Sequence, residues 1–246
     1  MIRYQLLVEY VGTSFIGWQS QKHGKSIQKT IQNVFCKILK EKIKIHGSGR
    51  TDKGVHAIEQ SAHFDCKKKI IDIKKLINSL NYFLNKKNIS ILQIKLKKNN
   101  FHSRFSAKER IYLYIIRNDH SPSMINHNRE WNIKKRLDVN LMKKGAKKLI
   151  GTHDFSTFRA ANCSAKNSIK TIKEIQILKS KKQIKIRIKS QSFLKSQVRS
   201  IVGSLKYLSE NKWDLKKFEK VFNSKNRKNC APLAPPNGLY LEKVIY

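Results

Sequence analysis

From Arg3 to Tyr10 apolar and polar side chains alternate, the period of a strand with one buried face. Gly12 marks a turn before the aromatic cluster Phe15-Ile16-Gly17-Trp18. After Ser26 the period changes: Ile27, Ile31, Val34, Phe35, Ile38 and Leu39 recur at helical spacing, with Ser26 placed to cap the first turn. A short strand at 42–46, a Gly-rich segment at 47–57, a strand near 60–64, a helix at 73–85 and a strand at 89–96 follow.

That order, strand-helix-strand-strand-helix-strand, predicts a ferredoxin-like split pattern with helices on one side of an antiparallel sheet. The second half predicts a strand at 111–116, a helix at 139–150, strands at 171–178 and 183–188, a helix at 193–208, another after Asp214, and a last strand at 239–244. The fold class is therefore α+β: two ferredoxin-like (RRM-like) halves whose mainly antiparallel strands form a continuous sheet flanked by helices. No Pro/Gly/Ser-rich linker separates them, and the joint is expected near 101–106. The two domains are residues 1–103, carrying the Gly-rich loop, and 104–246.

Composition adds a partner to this picture. The 246 residues hold 53 Lys and Arg against 16 Asp and Glu, a formal charge of +37. Such self-repulsion weakens a compact fold unless a polyanion offsets it. Codon drift in an AT-rich genome explains some of the lysines but not the scarcity of acids. With 39% hydrophobic residues, a packed core is expected and wholesale disorder is not. No stretch approaches the roughly 20 apolar residues of a spanning helix, the N-terminus reads as a strand instead of a signal peptide, and no basic amphipathic helix with a lipid-facing aromatic side stands out. Nucleic acid is thus the expected partner and a membrane is not. Cys36, Cys66, Cys163 and Cys230 are scattered without a C-x-x-C pair, which argues against both a zinc site and a disulfide framework and suits a reducing cytoplasm.

The segment Gly47-Ser48-Gly49-Arg50-Thr51-Asp52-Lys53-Gly54 lacks the spacing of either nucleotide-binding glycine loop. It offers instead one carboxylate, Asp52, beside Arg50, Lys53 and His56. Two readings stand: Asp52 accepts hydrogen bonds within its own turn, or it is a nucleophile or base facing a polyanion that Arg50 and Lys53 help to bind. Tyr112 and Tyr114, two apart on a strand, share a face and could serve as a platform for unpaired bases or simply pack.

Together these segments make the chain similar to the TruA family of tRNA pseudouridine synthases. Gly49-Arg50-Thr51-Asp52-Lys53-Gly54-Val55-His56-Ala57 resembles the family's motif around its catalytic aspartate. Six further segments occur in the family's order: Gly17-Trp18-Gln19-Ser20-Gln21, Phe101-His102-Ser103-Arg104-Phe105-Ser106-Ala107, Arg110-x-Tyr112-x-Tyr114, Asp154-Phe155-Ser156-Thr157-Phe158-Arg159-Ala160, Val198-Arg199-Ser200-Ile201-Val202-Gly203 and Gly238-Leu239-Tyr240-Leu241. The resemblance implies that Asp52 is the nucleophile, that Arg50 displaces and holds the flipped nucleotide, that Tyr112 stacks on the target base and can shuttle a proton, and that Arg199 pairs with Asp52. It further implies an isomerase needing no cofactor or metal, acting on uridines 38, 39 and 40 of the tRNA anticodon stem-loop, as a cytoplasmic homodimer. A non-catalytic RNA-binding protein is the alternative. The chain departs from the family pattern at Val11, in the proline-free Leu80-Asn81-Tyr82-Phe83-Leu84-Asn85, and at Ser196-Gln197.

Overall fold

The computed structural model describes residues 1–246, which divide into two compact units: Met1–Lys108 with Tyr240–Tyr246, and Glu109–Leu239. The alternation at the N-terminus becomes β1 (Ile2–Tyr10), which buries Tyr4, Leu6, Val8 and Tyr10 on one face. Against that face lie α1 (Ile27–Leu39), through Ile27, Ile31, Val34 and Phe35, and α2 (Ile73–Leu84), through Leu76, Leu80 and Leu84. Each fully buried aliphatic side chain of this layer contributes about 1.5–3 kcal/mol. Ser26 and Asp72 cap the two helices, accepting from Lys29 N at 3.3 Å and Lys75 N at 2.8 Å.

β2 (Ile45–Gly47), β3 (His56–Cys66) and β4 (Ile89–Lys97) complete the first sheet. β1 pairs antiparallel with β4 on one side and β3 on the other, and β2 pairs with β3. The resulting order β4-β1-β3-β2 is that of a ferredoxin-like fold. Residues Ala62–Phe64 of β3 hold β2, whereas His56 and Ala57 at its other end pair in parallel with Tyr240 and Leu241. Between Val8 and Tyr10 the β1–β3 register slips by one residue, a bulge that bends β3 where it leaves the Gly-rich loop. The face turned away from the helices carries Arg3, Gln5, Ser61, His63 and Asp65, with Arg3 paired to Asp65 at 2.8 Å.

In the second unit, β5 (Glu109–Arg117) leads through β6 (Trp131–Asn132), α3 (Val139–Lys147), β7 (Gly151–Asp154), β8 (Ile169–Ser180), β9 (Gln183–Ser190), α4 (Gln197–Ser209) and α5 (Leu215–Asn223) to the start of β10 (Leu239–Ile245). The strand order is β5-β9-β8-β7, all antiparallel, with the short β6 parallel to β5. Ile184, Ile186 and Ile188 of β9 and Tyr114 and Ile116 of β5 are buried, as are Met142 and Ala146 of α3, Leu205 and Leu208 of α4 and Phe218 of α5.

Three expectations shift. The joint falls after Lys108 instead of at 103/104, and residues from Tyr240 join the first unit because their strand pairs with β3. The helix expected from Phe193 starts at Gln197, because Ser196 sits in the left-handed region at φ 62° and breaks the path. The helix expected through Ile150 ends at Lys147 so that Gly151 can open β7. All four cysteines are free thiols, and no helix is long and apolar enough to cross a membrane.

Candidate active site

Asp52 lies in the loop between β2 and β3, half-buried, with exposed Arg50 and Lys53 on either side of it. A turn closes from Val55 N to Asp52 O at 3.2 Å, with Gly54 at φ 79° in the position where a type II turn needs a positive φ. The flanks of this turn are fixed by hydrogen bonds on both sides. Thr51 is buried, its hydroxyl 2.8 Å from Tyr10 Oη and its carbonyl accepting from Trp18 N at 3.1 Å. Ser48 donates to Gln60 Oε1 at 2.9 Å, and Gln60 Nε2 returns a bond to Gly49 O at 2.9 Å. His56 Nδ1 accepts from Gly12 N at 3.0 Å, which places its ring proton on Nε2, and its ring stacks on Tyr240 at 4.8 Å.

The Gly17-Trp18 segment is the outer brace. Gly17 has φ 118°, and a Cβ there would come within 2.5 Å of Thr51 O. The segment in turn hangs on α1, because Ile27 N donates to Gly17 O at 3.1 Å and Gln28 N to Trp18 O at 3.0 Å. A first-turn helix therefore holds a loop that holds Asp52. Such over-determined backbone is what presents a carboxylate in one geometry at no reorganisation cost.

In the second unit, Tyr112 of β5 is 9% exposed and meets Phe193 edge-on at 5.1 Å. Tyr114 is fully buried and donates to Pro235 O at 2.8 Å. Burial pushes its phenol well above the ordinary range, an effect that Arg199 opposes only partly, so Tyr114 stays protonated and structural. Arg199 lies on α4, half-buried; its Nε donates to Ala234 O at 2.7 Å, and its carbonyl accepts from Ala234 N at 3.2 Å. The segment 234–235 is thus tied to both α4 and β5.

Arg50 and Asp52 share one loop of the first unit; Tyr112 and Arg199 occupy β5 and α4 of the second. The segment around Asp154 and Phe155 is packing. Asp154 Oδ1 accepts from Ser156 N and Oγ at 2.9 and 2.7 Å, while Phe155 and Phe158 cluster on Phe222 at 5.4 and 5.6 Å. Sequence reasoning placed Thr51 and His56 in the Asp52 motif but missed the contacts through which they and Tyr10 brace it. The glycine-aromatic pattern at Gly17-Trp18 hinted at a brace, and its purpose is visible once the chain is folded. No group of three or more His, Cys, Asp or Glu side chains is arranged to hold a metal ion.

Comparison with known proteins bears on the family of the chain. A family profile described as tRNA pseudouridine synthase matches residues 6–106 and 146–246. The tRNA pseudouridine synthase A of Pelagibacter ubique (strain HTCC1062) is 62% identical over the full length of both chains. That of Rhodopseudomonas palustris (strain BisA53) is 40% identical, again over both full lengths. Among solved structures, a chain of a Cbf5-Nop10-Gar1 complex aligns with a TM-score of 0.34 at 11% identity, spanning 82% of this chain and 53% of that one, too distant to inform the site. On the profile match and the full-length identities, the chain belongs to the tRNA pseudouridine synthase family.

Proposed function

We propose that this chain isomerises uridine to pseudouridine at positions 38, 39 and 40 of the tRNA anticodon stem-loop, with Asp52 as nucleophile. The observation that carries the assignment of Asp52 is its loop: a carboxylate braced through Thr51 by Tyr10 and Trp18, between two exposed cations. The reaction is balanced within the substrate. The N1–C1′ bond breaks, the uracil turns, a C5–C1′ bond forms, the C5 proton leaves and N1 takes one up. No electron acceptor or second substrate enters, and a carboxylate can supply the electron pair that carries the detached stage.

Neither C5 nor the glycosidic bond of a stacked uridine is accessible, so the nucleotide must leave the helix, and Arg50 is proposed to hold it there. Stacking on the target base is assigned to Tyr112 and pairing with the nucleophile to Arg199. The charge of +37 supports binding through phosphates, which positions RNA without reading its sequence and lets one site serve neighbouring uridines. A homodimer working in the cytoplasm completes the reading.

The test is tritium release from a tRNA transcript labelled at uridine C5, with no cofactor or metal added. Wild-type protein should release label in step with pseudouridine formation in the anticodon stem-loop. Asp52→Ala should abolish release while tRNA affinity stays within about threefold, since phosphate contacts dominate binding. Tight binding by the wild type without any release would overturn the assignment.

A further inference from the structure

The segment Phe101–Ala107 follows β4 and lies on the helix-free face of the first unit's sheet. Arg3 fixes its start, donating from Nη1 to Asn99 O and Phe101 O at 2.7 and 2.8 Å. Ser103 fixes its middle: its Oγ donates to His46 O at 2.6 Å and lies 2.9 Å from His63 Nδ1, and its carbonyl accepts from Tyr246 Oη at 2.8 Å. Four rings line up across this anchor. His46 stacks on His63 at 5.0 Å, His63 meets His102 at 4.5 Å, and His102 meets Phe105 at 4.4 Å.

The last ring breaks the usual rule for a large apolar side chain. Phe105 is 76% exposed, yet its backbone is held: Arg104 N and Phe105 N both point at His102 Nδ1, at 3.1 and 3.4 Å. The Arg104 guanidinium lies 5.6 Å from the Phe105 ring centre, and Lys97 Nζ sits 5.0 Å from that of Phe101 in the same aromatic group. Burial first, and neighbouring positive charge second, hold the His63 and His102 imidazoles below their ordinary range, so these two rings behind Phe105 are uncharged at neutral pH.

A solvent-facing aromatic ring on a held backbone, with a guanidinium over it, suits an unpaired nucleobase and its adjoining phosphate: the base stacks on the ring and the arginine turns to the phosphate. A second copy of this chain is the less favourable occupant, because it would bring another strongly positive surface against Arg104 and Lys97. We propose that Phe105, backed by His102 and His63, is a stacking platform for an unpaired tRNA base outside the catalytic pocket, and that Arg104 binds the phosphate beside it. This rests on the reading of the chain as a tRNA-modifying enzyme and adds a second point of grip on the RNA.

The experiment measures binding of an unmodified tRNA transcript to Phe105→Ala, Phe105→Leu, Phe105→Trp and Arg104→Ala, with sedimentation of each protein alone. Stacking predicts Kd raised about 5- to 100-fold for the Ala and Leu variants and near wild type for Trp. Arg104→Ala should weaken binding and lower the salt slope by about one ion. Ultraviolet crosslinking of the transcript should map to the peptide holding Phe105. Wild-type affinity in Phe105→Ala, or in Phe105→Leu with Ala weakened, overturns the proposal, as does a Phe105→Ala variant that changes oligomeric state instead of RNA affinity. Pseudouridine formation by the wild type is scored separately. Its absence with weakened Phe105→Ala binding would sink the isomerase reading alone; its presence with unchanged binding would sink the platform alone.

Discussion

The hydroxyl of Tyr10, at the end of β1, lies 2.8 Å from the hydroxyl of Thr51, one residue before Asp52. Both are buried, so the contact is worth about 0.5–1.5 kcal/mol and acts mainly on where the loop can go. Tyr10→Phe should lower kcat about 3- to 10-fold with KM unchanged, by letting the carboxylate stray from its attack geometry. Thr51→Val should match it, and the double variant should cost no more than either alone. Additive losses in single-turnover rates would mean the bond does not act on Asp52.

Gly17→Ala should do more damage than either. The backbone there has φ 118°, and the new methyl would sit 2.5 Å from Thr51 O, so helix, brace and loop must all move. The strain is expected to cost about 1–3 kcal/mol of stability. Turnover per folded molecule should fall further than in Tyr10→Phe. Urea unfolding alongside tritium release separates the two effects, and a variant with wild-type turnover would show that the brace is dispensable.

The two tyrosines of β5 should part company. Tyr114→Phe removes the donor to the Pro235 carbonyl and should lower stability by about 1–3 kcal/mol while leaving turnover of folded protein intact. Tyr112→Phe should do the reverse, since its ring packing on Phe193 survives and only the hydroxyl is lost. Equal turnover in Tyr112→Phe and wild type would remove that hydroxyl from the chemistry.

His63 gives the fold a pH dependence with a definite sign. Burial first, then His102, Arg3 and His46, lower its pKa from 6.5 to about 4. Between those values the unfolded chain binds more proton than the folded one, so this contribution is complete above about pH 6.5 and is lost as pH falls toward about 4. The urea midpoint should therefore drop between pH 7 and pH 5, and His63→Gln should flatten that drop. An unchanged pH slope in the variant would locate the acid sensitivity elsewhere.

What the sequence revealed, and what it hid, follows from the range of the interactions. Ser26 and the helically spaced apolar residues after it act within one helix, so α1 was readable, and so were the period-two runs of β1 and β9 and the apolar run of β5. β6 and β7 were not, because two or four residues carry no period. Ser196 could not be seen to break α4, since a left-handed serine leaves no compositional trace. Asp52 stood out through its local motif, whereas the Tyr10–Thr51 bond spans 41 residues and the His46–His63–His102–Phe105 stack draws on three separate stretches of chain. Only folding brings such sets together.

The pairing of Tyr240 and Leu241 with the start of β3 has a consequence for biosynthesis. The ring that stacks on His56, and the Tyr246 hydroxyl that reaches Ser61 at 2.7 Å, both come from residues made after the entire second unit. A nascent chain can assemble β1 to β4 early, but the edge beside the Asp52 loop stays open until the ribosome has passed Tyr240. The first unit thus begins folding first and finishes last. In the interval, that open strand edge is a place where the chain can mispair or be held by a chaperone.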